Sequence, residues 1–178
     1  IVGTPTKTAT AGPADFLYKF SKTEIIYPKS LINLPAGTKI NEIQFFGTHS
    51  SKNITFSVDA WIGNVAAGTA LMGESTEGLT QVADKMTVDH SEAITAENIK
   101  SVVTLTFPDG FVYDGGDIRL FLTSAGTANN STSFEVDENV EGQAQQAKDN
   151  ETQFATASFS DISLPVAHFI VSPYKTLS

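Results

Sequence analysis

Three aspartates crowd one short stretch of the chain: Asp109, Asp114 and Asp117, with Gly110, Gly115 and Gly116 among them. Calcium takes about six to eight oxygen ligands from carboxylates and loop carbonyls, and such a stretch can supply both. The same residues also build turns, because Asp bonds its own backbone and Gly accepts positive φ. A second candidate is Trp61, the one tryptophan of the chain. It alternates with the apolar positions of its segment and shares the polar face with Asp59 and Ser57. An indole ring there is a platform for the apolar face of a sugar, with Asp59 beside it for hydroxyl groups. The competing expectation is that this face is covered, by the N-terminal residues or by the segment 65–78. Phe121 also falls opposite the apolar set of its strand, which favours cover. A third candidate is the acidic run Glu135, Asp137, Glu138, Glu141, Asp149 and Glu151, where Lys148 is the only base. It reads as a solvated loop, or as a recognition loop or cation site with Glu138 and Glu141 as ligand contacts.

Signatures of catalysis are missing from the sequence. It contains no G-x-S-x-G, H-E-x-x-H, G-x-x-x-x-G-K or G-x-G-x-x-G. His49, His90 and His168 lie far apart along the chain. Glycoside hydrolysis by paired carboxylates asks only for a separation in space, so the 20 acidic residues keep a hydrolase as the last alternative.

The net charge of −9 and pI near 4.6 argue against a nucleic-acid partner, which calls for a basic footprint. With no cysteine there are no disulfides, thiol chemistry or thiolate metal sites. No apolar run approaches the ~20 residues of a spanning helix. The opening Ile1-Val2-Gly3-Thr4 has no charged-then-apolar signal pattern, and a start at Ile1 reads as a processed or excised piece.

The elements that must position these residues are short and extended. Residues 1–14, rich in Thr, Ala, Pro and Gly, read as a linker or an arm pinned to the domain. Strands are predicted at Asp15–Phe20, Thr23–Tyr27, Thr38–Gly47 and Ile54–Ile62, with one helical turn at Pro28–Asn33. After a small-residue loop at Val65–Gly78, Leu79–Asp89 makes one or two strands and Ala93–Lys100 a short helix. Strands follow at Ser101–Phe107, closed by Pro108 and Asp109-Gly110, and at Asp117–Ala125, opened by the turn Asp114-Gly115-Gly116. Thr132–Val136, Gln153–Phe159 and Pro165–Ser172 complete the set, and the polar segment Glu138–Asn150 reads as a long loop. Ile54, Phe56, Val58, Ala60, Ile62, Val103, Leu105, Phe107, Ile118, Leu120 and Leu122 form the expected core. Many short strands without a long amphipathic helix predict an all-β protein, with residues 15–178 as a single domain. An antiparallel β-sandwich with Greek-key or jelly-roll connections is the expected architecture, and a closed β-barrel the alternative.

Several phrases recur together: Ile26-Tyr27-Pro28-Lys29-Ser30-Leu31, Gly37-Thr38-Lys39-Ile40-Asn41-Glu42-Ile43-Gln44-Phe45, Trp61-Ile62-Gly63, and Phe111-Val112-Tyr113-Asp114-Gly115-Gly116-Asp117-Ile118. With the closing Leu164-Pro165-Val166-Ala167-His168-Phe169, their order resembles a β-sandwich, adhesin-like module of exported and surface proteins of Bacteroidetes bacteria. The resemblance runs over most of residues 22–170. Asp117 stands where that pattern more often has Asn, and the acidic segment 135–151 has no counterpart in it. The resemblance implies the sandwich fold and an extracytoplasmic address, on the cell surface or secreted. The expected function is a non-catalytic binding or adhesion module of a larger surface assembly, with a glycan or a surface protein as ligand. The alternative is a carbohydrate-binding accessory domain of a polysaccharide-utilisation system. No cofactor is expected beyond a candidate structural calcium ion at Asp109, Asp114 and Asp117.

Overall fold

A strand that alternates as Phe56–Ile62 does has one apolar face, and that face is stable only against another layer. The computed structural model, which describes residues 1–50, 54–151 and 158–172, supplies that layer as a second sheet. The strands are β1 (Lys7–Ala9), β2 (Phe20–Tyr27), β3 (Lys39–His49), β4 (Ile54–Val65), β5 (Thr80–His90), β6 (Lys100–Val112), β7 (Asp117–Gly126), β8 (Thr132–Asp137), β9 (Ala144–Asp149), β10 (Ser160–Asp161), β11 (Leu164–Pro165) and β12 (His168–Ser172). Among the described residues they form two antiparallel sheets. One runs β1-β8-β3-β12, with β11 added to β8 and β6 to β3; the other runs β10-β9-β2-β7-β4-β5. The chain crosses between sheets from β1 to β2, β2 to β3, β3 to β4, β5 to β6, β6 to β7, β7 to β8, β8 to β9 and β10 to β11. The fold is a β-sandwich and not a closed barrel.

The core lies between the sheets. Phe56, Val58, Ala60, Ile62, Val103, Leu105, Phe107, Ile118, Leu120 and Leu122 are all buried in it. The side chain of Ile54, expected with them, lies outside the described residues. Phe16 stacks on Phe56 at 4.3 Å between ring centroids and meets Phe134 edge-on at 5.9 Å. Tyr27 is fully buried, and its hydroxyl donates to the Pro165 carbonyl at 2.8 Å, joining the sheets.

The N-terminal arm is part of the sandwich. Val2 pairs with Ala167, and β1 adds to the edge of β8. Pro28 opens a single helical turn, α1 (Lys29–Ile32), and Asn33, left-handed at φ 49°, ends it. The helix expected at Ala93–Lys100 is reduced to a 3-10 turn at Ala96–Asn98.

Three segments differ from expectation. Asp15–Phe20 is no strand: the Asp15 carboxylate accepts from the Leu17 amide at 3.1 Å and folds the segment into a turn that carries Phe16 inward. β6 does not stop at Pro108. Its pairing with β3 jumps from Glu42–Thr106 to Ile40–Phe111, so Phe107–Gly110 bulge and the strand resumes; Gly110 takes φ 73° there. Within Glu138–Asn150, Ala144–Asp149 is a strand paired along β2, leaving 138–143 and Asn150 outside it. The strand expected at Gln153–Phe159 falls mostly outside the described residues.

Candidate functional site

The site lies on the outer face of the second sheet. Because Ile25 and Tyr27 of β2 face the core, Lys22, Glu24 and Ile26 face outward. By the same alternation β7 presents Asp117, Arg119, Phe121 and Thr123, and β4 presents Asp59 and Trp61. Strand pairing sets Trp61 opposite Phe121 and Asp59 opposite Thr123. A polar sheet face of this kind would ordinarily be open to water. Here the segment 66–79 folds back over it.

Buried charge holds that segment down. Glu24 and Arg119 are both 0% exposed, with Arg119 Nε donating to Glu24 Oε2 at 2.6 Å. The Glu24 carboxylate also accepts the amide of Met72 at 2.9 Å, the amide of Gly73 at 2.8 Å and the Gln145 side-chain amide at 2.7 Å. Arg119 Nη1 donates to the Ser75 carbonyl at 2.6 Å and Nη2 to the Gly73 carbonyl at 2.7 Å. Each charged group therefore meets its opposite and also satisfies loop backbone that the sheet would leave unpaired. Lys22 pairs with Glu74 farther along the segment, and its ammonium lies 5.3 Å from the centre of the Phe159 ring.

The expected contact residues sit around this clamp. Trp61 is half-buried, its ring tilted 43° against Phe121 at 5.9 Å. Asp59 accepts from the Lys85 amide at 2.6 Å and from the Thr123 hydroxyl at 3.4 Å. The indole thus keeps an accessible edge, and the acid beside it is oriented by its neighbours. Cover of this face by the segment 65–78 is the arrangement observed, with Phe121 buried beneath it.

Asp109, Asp114 and Asp117 do not converge. Asp109 is exposed on the β6 bulge. Asp114 accepts from the Gly116 amide at 3.0 Å, as a turn-former does. Asp117 is buried and accepts the Lys29 amide at 2.8 Å and the Gly68 amide at 2.9 Å, tying α1 to the covering segment. Among the described residues no three His, Asp or Glu side chains form a group that could hold a metal ion. Glu138 and Glu141 are both exposed, and Glu138 pairs with Lys7 at 3.5 Å. They share a cleft of about 240 Å3 with Val140, Asp161 and Ile162.

Distance in sequence does separate His168 from the other histidines; it stacks on Phe46 at 4.1 Å, with Glu135 at 3.5 Å. His49 and His90 do meet, at 6.2 Å between centroids. His49 is buried, its Nδ1 bonded to the Thr132 hydroxyl at 2.8 Å and its Nε2 without a partner among the described residues. Burial, and next the nearby His90, hold its pKa below 6.5, with the Ser131 backbone acting in the opposite direction. The folded state therefore binds fewer protons than the unfolded chain below that value. Stability is expected to be level from pH 7 to 8 and to fall as pH drops below 6.5. Thermal melts between pH 5 and 8 check this, and His49→Gln should flatten the acid limb. A melting temperature unchanged from pH 7.5 to 5 in wild type would contradict it. Tyr27 acts at the other extreme: burial raises its pKa well above 10, so its contribution is lost as pH climbs past 10.

Sequence reasoning missed Glu24, Arg119 and Gln145. The one available signal was a charged residue of each sign in each of two strands, Lys22 and Glu24 in Phe20–Tyr27 and Asp117 and Arg119 in Asp117–Gly126. No family model, no curated protein and no solved structure matches the chain. Among the described residues no helix is long and apolar enough to cross a membrane.

Proposed function

We propose that this domain is a non-catalytic binding module of an extracytoplasmic surface protein, which meets its ligand through the 66–79 segment and the adjoining edge of Trp61. One observation carries the proposal: a fully buried Glu24–Arg119 pair is committed to fixing an irregular surface segment. Fixing a loop in advance removes its ordering cost from a later encounter, and loops held on a rigid sandwich are where such folds make contacts. Sheet alternation supplies the scaffold and the buried pair supplies the rigidity. Met72, 48% exposed, stands on the segment as an apolar contact. The extracytoplasmic address comes from the sequence resemblance.

Glycan recognition is the second proposal, favoured by the half-buried Trp61 over Phe121 with Asp59 alongside. Both are tested by attachment of the purified domain to a glycan array and to immobilised surface proteins, using wild type, Trp61→Ala and Met72→Asp. Binding to a glycan lost with Trp61→Ala supports the sugar module, and binding to a protein weakened by Met72→Asp supports adhesion. Attachment that neither substitution alters, or no attachment of wild type at all, removes this contact surface.

A further inference from the structure

The 66–79 segment does more than cover the sheet. Between its first residues, α1 and the end of the 138–143 loop lies a cleft of about 440 Å3. None of Trp61, Asp59, Glu138 or Glu141 lines it. We infer that this cleft is a binding site for a hydroxylated carboxylate, the chemistry of a uronic-acid unit in an acidic glycan. The inference rests on the domain being a binding module and names the ligand class of a site on the same segment.

Size is the first argument, since small-molecule pockets span about 300–1,000 Å3. The second is the donor set. The wall carries Lys29, Ser30, Thr69 and Gln143, with Leu71 and Pro28 supplying apolar surface. Thr69 donates its own proton to the Ala66 carbonyl at 2.5 Å, so its oxygen is left to accept from a ligand hydroxyl. A mixture of hydroxyl, amide and small apolar groups suits a sugar ring, which alternates hydroxyls with C–H faces.

Charge decides between a neutral and an acidic sugar. Asp117 is the one acid in the wall, and backbone amides of Lys29 and Gly68 engage both its oxygens. Lys29 is exposed, and among the described residues its ammonium enters no ion pair. The cleft thus offers an ammonium outside every ion pair among the described residues and a carboxylate whose two oxygens are already taken up by backbone amides, in a chain of net charge −9. A carboxylate is the group such a lone ammonium pairs with. The walls are also set beforehand. Asp117 bonds one backbone amide on each side of the cleft, and Glu24 holds Met72 and Gly73 just beyond Leu71. A ligand therefore meets a formed site.

The experiment is calorimetric titration of wild type, Lys29→Gln and Gln143→Ala with galacturonic acid, trigalacturonic acid, galactose and inorganic phosphate. Wild type should bind the uronates more tightly than galactose. Lys29→Gln should weaken that binding about tenfold, the loss of one charged hydrogen bond, and the remaining affinity should vary less with salt. Gln143→Ala should weaken uronate and galactose binding together. A trimer that binds more tightly than the monomer assigns the site to a glycan chain, and equal binding assigns it to a free sugar acid; both support the inference. It is overturned if galactose binds as well as galacturonate, if phosphate binds as well as either, or if Lys29→Gln with an unchanged melting curve binds like wild type. Absence of any uronate binding overturns it as well. Surface attachment lost on Trp61→Ala or Met72→Asp, measured separately, keeps the binding-module proposal standing in that event. Failure of attachment with uronate binding intact refutes that proposal's contact surface instead.

Discussion

Arg119→Ala should destabilise the fold by about 3–5 kcal/mol, the cost of leaving one partner of a buried ion pair uncompensated. Glu24 would keep its charge in a fully buried position with the guanidinium gone. The carbonyls of Gly73 and Ser75 would lose their donors at the same moment. The damage should therefore be local as well as global: the amides of Met72 and Gly73, bonded to Glu24, should lose protection from hydrogen exchange along with the rest of the segment. Removing both charges tests the mechanism. Glu24→Gln with Arg119→Met should be more stable than Arg119→Ala, because a buried pair replaced by neutral groups escapes the desolvation cost. Urea unfolding of wild type, the single variant and the double variant measures the difference. A loss under about 1 kcal/mol for Arg119→Ala, typical of an exposed pair, would mean the clamp is open to solvent.

That clamp also marks the limit of what one sequence discloses. Glu24 and Arg119 stand 95 residues apart, and only the pairing of β2 with β7, which sets Glu24 beside Phe121 and Ile26 beside Arg119, brings them together. Alternation told which face each residue was on; it did not tell which strands were neighbours. The core was legible for the opposite reason. From Phe56 to Ile62 in β4 and from Asp117 to Thr123 in β7 each inward residue is apolar and each outward one polar or charged, with Trp61 and Phe121 as the exceptions, and period two needs no knowledge of partners. Those two exceptions were themselves informative, since large aromatics on an outer face called for the cover that segment 66–79 provides.

Strand ends and polar strands were harder to read. Pro108 and Gly110 punctuate most sequences, and here they lie in a bulge that β6 passes through, because β3 continues to offer partners at Ile40 and Lys39. In β9, Ala-Gln-Gln-Ala-Lys-Asp has no β-branched or aromatic residue, so nothing local asks for a strand. Its backbone is extended because β2 on one side and β10 on the other satisfy it. The acidic run was consequently divided: Asp137 ends β8 with its carboxylate on the amides of Thr4 and Asn139, Asp149 ends β9, and Glu138, Glu141 and Glu151 remain outside the strands.

Phe56→Ala is expected to cost about 3–5 kcal/mol, as large-to-small changes of a buried Phe do when the cavity cannot collapse. Three neighbours make collapse difficult. Phe16 stacks flat on the ring at 4.3 Å. Gly126, paired with Phe56 across the sheet, has no side chain to refill the space; a Cβ there would lie 2.5 Å from the ring. Phe134 is already engaged by Phe16 and by Gly12 on its other flank. Phe16 belongs to the turn at 15–19, so the ring of Phe56 also anchors a segment that lies outside the strands. Combining Phe56→Ala with Phe16→Ala should therefore cost less than the sum of the two, by about 0.5–1.5 kcal/mol for the lost aromatic pair. Chemical denaturation of the four proteins in that cycle measures the coupling. A single-variant loss below about 1 kcal/mol would place Phe56 at the surface and invert the faces of β4. A coupling of zero with a full single-variant loss would instead keep Phe56 in the core and remove Phe16 from contact with it, leaving the turn to its hydrogen bonds, among them Asp15 Oδ1 with the Leu17 amide and the Phe16 carbonyl with the Asn130 amide.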